Sequence, residues 1–141
     1  MRLLVFAAAL IVSGPAVAQS LEAAPDAAPI VAAERAFAAD FPALGLAGSF
    51  RKWSQPDAII INGGRAQTVA TVFEGAPLTR QDGEPLIAWW PTFAGVAMSG
   101  EMGSTTGPAA RDQEPYGHYF TVWRRQADGR WLGWRLFENS A

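Results

Sequence analysis

Three β-type runs follow one another in the C-terminal part of the chain, from Ser99 to Glu138. Turn residues separate them, and the last two runs flank Asp128-Gly129, a dipeptide typical of tight hairpins. Consecutive strands with short connections predict an antiparallel meander. Its many Trp, Tyr and Phe residues suit either of two roles, packing against a helix or lining an apolar pocket.

The N-terminus has the three parts of a secretory signal. Arg2 is the positive end, residues 3–12 form an apolar run too short to span a bilayer, and Ala16-Val17-Ala18 is a small-residue cleavage site. We therefore expect residues 1–18 to be a signal peptide, the mature protein to be periplasmic or secreted, and no membrane anchor to remain after cleavage. Residues 19–28 predict a flexible leader before a single domain over residues 29–141.

Composition argues against several kinds of site. The 11 Lys and Arg and 13 Asp and Glu give a net charge of -2 and form no basic stripe, so we expect no nucleic-acid partner. With one His and no Cys, the sequence predicts no metal site and no disulfide. Asn62-Gly63-Gly64 lacks the glycine spacing of a phosphate loop, and we expect no cofactor.

Helical periodicity begins at Pro29, a residue type favoured in the first turn of a helix. Apolar residues then recur at three- and four-residue intervals and predict one buried stripe, made of Ile30, Ala33, Phe37 and Phe41. The charged residues Glu34, Arg35 and Asp40 are predicted to lie off this stripe. Pro42 is predicted to end or kink the helix, and residues 43–53 predict a second, short helix.

Strands follow the helices. Residues 58–61 are a β-branched run, and residues 86–98 are an aromatic strand in which Pro91 predicts a bulge or an edge position. Residues 65–83 are compatible with a short helix or with a loop. Helices first and a meander afterwards indicate an α+β fold.

Four segments, AERAFAADF, GLAGSFRKWSQPDAII, SGEMGSTTGP and GHYFTVWRRQADGRW, resemble the nuclear-transport-factor-like superfamily in their order and spacing, and specifically its SnoaL-like and exported bacterial branch. The resemblance implies a cone, in which a curved, mainly antiparallel sheet packs on two to three N-terminal helices that close one side of a pocket. It implies no single activity, because the superfamily includes ketosteroid isomerases, polyketide cyclases, dehydratases, epoxide hydrolases and members with no known activity.

The register of the last hairpin decides which side chains share a face of the sheet. A three-residue loop, which we prefer, pairs Gln126 with Arg130 and His118 with Glu138. A two-residue turn would pair Tyr119 with Glu138 instead.

The preferred register places aromatic, hydroxyl and cationic side chains on one face, a combination typical of ligand pockets. We therefore predict a ligand site formed by Trp90, Glu101, Tyr119, Trp123 and Arg135. Packing of the rings against a helix, with the Arg at a solvated margin, explains the same face equally well.

His118 and Asp57 are the candidate catalytic residues. Imidazole changes its charge most readily near neutral pH, and Glu138 or Glu101 could orient it. Asp57 is an acid next to apolar residues, which is one way to make a general base. Each also has a simpler explanation, His118 as a structural strand residue and Asp57 as a turn cap.

Two functions from different classes fit these features. We favour a binding module whose cone holds a small apolar or aromatic molecule or a partner. The alternative is a cofactor-free lyase, isomerase or hydrolase in which His118 or Asp57 moves a proton, so the sequence leaves open whether the protein is an enzyme. We also expect a homodimer, because helices can cover only one face of a curved sheet.

Overall fold

The computed structural model describes residues 25–140, apart from the side chains of residues 62 and 138–140. The predicted signal peptide and most of the predicted leader lie outside the described residues. Within this range a kinked helix packs on a large mixed sheet that is not closed, which confirms the expected α+β class. No helix of residues 25–140 is long and apolar enough to cross a membrane.

Nine elements make up this range: α1 (Ala28–Trp53), β1 (Ser54–Asn62), β2 (Arg65–Thr68), α2 (Val69–Val72), β3 (Ile87–Trp89), β4 (Phe93–Val96), β5 (Met102–Arg111), β6 (Glu114–Arg125) and β7 (Trp131–Ser140). The strand order is β2-β1-β7-β6-β5-β3, and β4 pairs with another part of β5. The β1–β7 pair is parallel and the other pairs are antiparallel, so the sheet is mainly antiparallel, as expected.

Helix α1 continues through Pro42 and is interrupted at Gly45, whose φ is 64°. The Glu84 carboxylate accepts a hydrogen bond from the Leu46 N–H at 2.7 Å and so caps the second half of the helix. A Cβ on Gly45 would lie 2.7 Å from that carboxylate. The expectation of a break at Pro42 is therefore corrected, because only glycine combines this φ with the close approach of Glu84.

Apart from β2, the remaining strands lie where the sequence predicts them, with revised bounds. Residues 65–68 form β2, although the sequence predicts a helix or a loop there. The first strand begins at Ser54 rather than at residue 58, so Asp57 lies within β1 rather than before it. The ambiguous residues 65–83 start with β2 and α2. Pro91 separates β3 from β4, as expected for a residue that lacks the N–H of a sheet ladder.

The β6–β7 hairpin contains both of the registers considered above. Next to the turn, the Gln126 N–H donates to the Arg130 carbonyl at 2.7 Å, as the three-residue loop requires. The register then shifts by one residue, leaving Trp134 unpaired in a bulge. The predicted pairing of His118 with Glu138 is therefore wrong, since Asn139 lies opposite His118.

The bulge also separates Trp123 from Arg135. Trp123 lies opposite Gly133 on the inner face of the sheet, the face that packs on α1, whereas Arg135 lies opposite Val122. The Arg135 guanidinium stacks on the Trp134 ring, 3.9 Å from its centroid. The prediction that Trp123 and Arg135 share a face is wrong for this reason, and Arg135 lies on the outer face of the sheet.

The hydrophobic core lies between α1 and the inner face. Phe37 is its centre, with edge-to-face contacts to the rings of Phe50, Trp89 and Trp123. Such aromatic pairs add about 0.5–1.5 kcal/mol each to the burial of their surface. These contacts hold the kinked helix against β3 and β6.

Candidate functional site

A small cavity lies between α1 and the inner face of the sheet. Its volume is about 60 Å³, which is room for a few water-sized groups, and it is partly open to solvent, so a larger molecule would be only partly enclosed. Most of the residues that border it are aromatic or aliphatic: Phe37, Leu46, Phe50, Ile60, Ile87, Trp89, Ala109, Tyr119, Thr121, Leu136 and Phe137.

Tyr119, a residue of β6, forms part of the cavity wall. The residue is 8% exposed, and its hydroxyl is buried in the interior. Burial raises the pKa of Tyr119, and the nearby Glu34 carboxylate raises it further, so the phenol stays protonated. Its hydroxyl oxygen is enclosed by protein atoms and has almost no surface that faces the cavity.

Glu34 lies in the protein interior next to the cavity wall and is fully buried. One carboxylate oxygen accepts a hydrogen bond from the Trp89 indole N–H at 2.6 Å, and the other accepts from the Thr105 hydroxyl at 2.5 Å. The Trp123 indole N–H donates to Thr105 at 2.8 Å and lies 3.2 Å from Glu34. Helix α1 is therefore joined to β3, β5 and β6 by one polar group.

The environment of Glu34 favours its protonated form. Burial raises the pKa of this carboxyl group, and hydrogen bonds from Thr105, Trp89 and Trp123 oppose the shift without cancelling it. A carboxyl group of this kind can hold a proton at a pH at which an exposed glutamate has lost it.

The five predicted ligand-binding residues do not form one cluster. Tyr119 lines the cavity, and Trp123 is fully buried in the network around Glu34. Trp90 is 49% exposed between β3 and β4, and Glu101 is exposed in the turn before β5, where it borders a separate open cleft. Arg135 lies on the outer face.

The two predicted catalytic residues lie away from the cavity. His118 is exposed on β6, opposite Pro108 and Asn139, and Asp57 is exposed on β1. Neither residue is part of the cavity lining. In the part of the chain that the structure describes, no three His, Cys, Asp or Glu residues come together in a way that could hold a metal ion.

Sequence reasoning missed Glu34 and its partner Thr105. Glu34 occupies a position of the buried helical stripe, since residues 30, 34, 37 and 41 follow one another at intervals of four, three and four, and all are buried. The sequence signal for a buried polar group was this charged residue at a position of the apolar stripe. The prediction that Glu34 lies off the stripe is wrong because its carboxylate finds three donors inside the core.

Solved structures establish the type of fold. No family model matches the sequence, and no curated protein matches it. The chain is similar to a ketosteroid isomerase-like protein from Erwinia carotovora atroseptica, with a TM-score of 0.56, 17% identity, and coverage of 78% of this chain and 92% of that one. It is also similar to an NTF2-like protein of unknown function from Shewanella baltica, with a TM-score of 0.58, 10% identity, and coverage of 81% and 92%.

The chain has the nuclear-transport-factor-like fold. Both matches cover most of each partner, so the likeness extends over the helix and the sheet together rather than over a single motif. At identities this low the likeness concerns the fold alone. In the nuclear-transport-factor-like fold of this chain, the cavity lies where α1 closes one side of the sheet.

Proposed function

We propose that the protein binds a small, mainly apolar molecule in the cavity between α1 and the sheet. The lining supports this most directly, because most of the residues around the cavity are aromatic or aliphatic and only a few are polar. Ligand sites typically combine an apolar wall with a few polar groups that fix orientation. The N-terminal signal pattern adds the proposal that the domain acts in the periplasm or outside the cell.

Binding is favoured over cofactor-free catalysis by the positions of the candidate bases. His118 and Asp57 are both exposed, and neither of them lines the apolar cavity. A general base must come within hydrogen-bond distance of the proton that it removes. Glu34 is near the cavity, but both of its oxygens already accept hydrogen bonds from core residues.

A variant that fills the cavity tests the proposal. Ala109 lines the cavity and is 7% exposed, so Ala109→Leu places three additional carbon atoms in the space that a ligand would use. We expect toluene to shift the backbone amide NMR signals around the cavity saturably in the wild type. We expect the Ala109→Leu variant to bind toluene at least about tenfold more weakly, since the lost contacts correspond to more than about 1.4 kcal/mol.

Ala110→Leu is the matched control. Ala110 is the next residue of β5 and is directed to the opposite face of the sheet, so the same added volume leaves the cavity unchanged. The Ala110→Leu variant should bind toluene as the wild type does. Absence of saturable binding to the wild type, or equal binding by the Ala109→Leu variant, would contradict the proposed function.

A further inference from the structure

We propose that residues 74–85 form a strap that opens to admit ligands into the cavity, and that the Glu84 carboxylate holds this strap closed. The strap connects α2 with β3 and contacts α1 on both sides of the Gly45 break. This inference rests on the proposed function, because it concerns how a ligand reaches the same cavity.

Hydrogen bonds join the strap to the break in α1. The Arg80 N–H donates to the Ala43 carbonyl at 3.0 Å, and the Leu46 N–H donates to one oxygen of the Glu84 carboxylate at 2.7 Å. The other oxygen accepts from the Gln81 N–H at 3.1 Å. One carboxylate therefore binds both the strap backbone and the first N–H of the second half of the helix.

The strap lies between two fixed points and buries little apolar surface of its own. Phe73 before it belongs to the hydrophobic core, and Leu86 after it pairs with Asp112 through two hydrogen bonds. Between them, residues 74–83 are exposed except for the partly buried Ala76. Segments with few buried apolar contacts open at a lower free-energy cost than the core. The strap can therefore open while the sheet stays folded.

Opening of the strap changes the cavity through Leu46, which lines the cavity and is bound to Glu84 through its N–H. Four residues further along α1, Phe50 packs edge-on against Phe37 and holds the end of the helix in place. Hinges are short segments that absorb a change in φ and ψ, and the Gly45 break is such a segment. Release of Glu84 thus frees the first turn after the break, and Leu46 can move out of the cavity wall.

Amide hydrogen exchange tests the strap in the absence of a ligand. We expect Glu84→Ala to accelerate exchange of the Leu46, Gln81 and Arg80 N–H groups by about tenfold or more, because two charge-assisted hydrogen bonds are lost. Arg80 is decisive, since its acceptor is the Ala43 carbonyl and the substitution removes neither atom of that bond. Exchange in the first half of α1 should stay unchanged.

Asp82→Ala is the matched control, because Asp82 is an exposed acid of the same strap, two residues before Glu84. It should leave the exchange of all three amides unchanged. If Glu84→Ala accelerates only Leu46 and Gln81, the carboxylate is a local cap and the strap does not open as a unit. That result would overturn the inference.

The rates of toluene binding test the link between the strap and the cavity. When opening precedes entry, a larger open population raises the association and dissociation rate constants together. We expect Glu84→Ala to raise both constants, measured by NMR line-shape analysis, by about the same factor as the exchange of the Arg80 N–H. The dissociation constant should change by less than about twofold, since both rates change alike. Asp82→Ala should alter neither rate.

The remaining outcomes separate the strap from the function that it serves. If Arg80 exchange accelerates while both toluene rate constants stay the same, or if only the dissociation constant rises, the strap is not the entry route, although cavity binding stands. If toluene does not bind the wild type saturably, the proposed function fails, and the inference fails with it whatever the exchange rates are.

Discussion

Glu34 shows how one side chain can organise the interior. It receives donors from three strands, and these donors lie 55, 71 and 89 residues further along the chain. Removing the carboxyl group would leave the Trp89 indole N–H and the Thr105 hydroxyl without their acceptor, at about 1–3 kcal/mol for each orphaned group, whereas the Trp123 indole N–H would keep Thr105. The group is therefore kept in the core although burial opposes its charge.

The buried position of Glu34 predicts an unusual pH dependence of stability. Its pKa in the folded protein is raised above that of an exposed glutamate, so its contribution to stability is fully present below the pKa of the unfolded chain and is lost as the pH rises through the folded value. Glu34→Gln keeps the shape of the protonated acid. We expect the variant to become more stable relative to the wild type as the pH is raised from acidic to neutral, as measured by urea unfolding.

Glu101→Gln is the control for this comparison. Glu101 is exposed in a turn, so its substitution should leave the pH profile of the wild type in place. Parallel profiles of the wild type and the Glu34→Gln variant would refute the assignment of the pH dependence to Glu34.

The spacing of the buried stripe could be predicted from the sequence, but the burial of Glu34 within it could not. Residues 30, 34, 37 and 41 have helical spacing, yet a glutamate is rarely buried unless it is paired. The pairing groups are brought to it by strands far along the chain. Only the tertiary structure contains that information.

Among the elements, the turn and the bulge of the β6–β7 hairpin differ in how far local chemistry determines them. The turn after β6 was predicted because Asp128-Gly129 suits a three-residue loop, and Gly129 has the required φ of 87°. The bulge at Trp134 was not predicted. It coincides with packing of the Trp134 ring against two guanidinium groups, those of Arg124 and Arg135, which lie 4.1 and 3.9 Å from the ring centroid. Turn geometry is local, whereas this packing involves two strands.

The β5–β6 turn contains backbone strain that a substitution can relieve. Asp112 and Gln113 are its central residues, with φ values of 51° and 73°, a region in which residues other than glycine are strained. Asp112 compensates through hydrogen bonds with the backbone of Leu86, whereas no such bond is found for the Gln113 side chain in the described structure. We expect Gln113→Gly to raise the free energy of unfolding by about 0.5–1 kcal/mol in chemical denaturation.

A glutamine-to-glycine substitution in a strand provides the control. Gln67 is an exposed strand residue of β2 without positive φ, so Gln67→Gly adds chain entropy to the unfolded state without relieving strain. It should lower the free energy of unfolding by about 0.5–1 kcal/mol. Equal effects of the two glycines would show that the turn is not strained.

For the whole molecule, the order of elements was the most predictable property. Periodicity and turn residues gave α1 before the strands and an antiparallel meander at the end, and the solved structures agree with that fold. The cavity was less predictable, because its wall combines residues from α1, β1, β3, β5, β6 and β7. Side-chain directions across so many elements depend on the helix kink and on the bulge.

The outer face of the sheet carries a row of phenylalanines. Phe93 lies opposite Thr106, Thr106 opposite Phe120, and Phe120 opposite Phe137, so these residues share one face of four neighbouring strands. The three rings are 74%, 40% and 38% exposed. Exposed apolar side chains on one face are typical of protein interfaces, and we propose that this face mediates a homodimer.

Sedimentation velocity over a range of concentrations tests the dimer, and Phe120→Ser is the decisive variant. Phe120 lies at the centre of the row and packs edge-on against Phe137, 5.8 Å between centroids, so its loss removes the middle of the apolar surface. We expect the dimer dissociation constant to rise by about tenfold or more, because central aromatic residues contribute most to such interfaces.

Met98→Ser is the control, because it removes an apolar side chain that is 59% exposed in a turn outside the row, and it should leave the dissociation constant unchanged. A wild type that sediments as a monomer at every concentration would disprove the dimer, and an equal effect of both serines would disprove the assignment to this face.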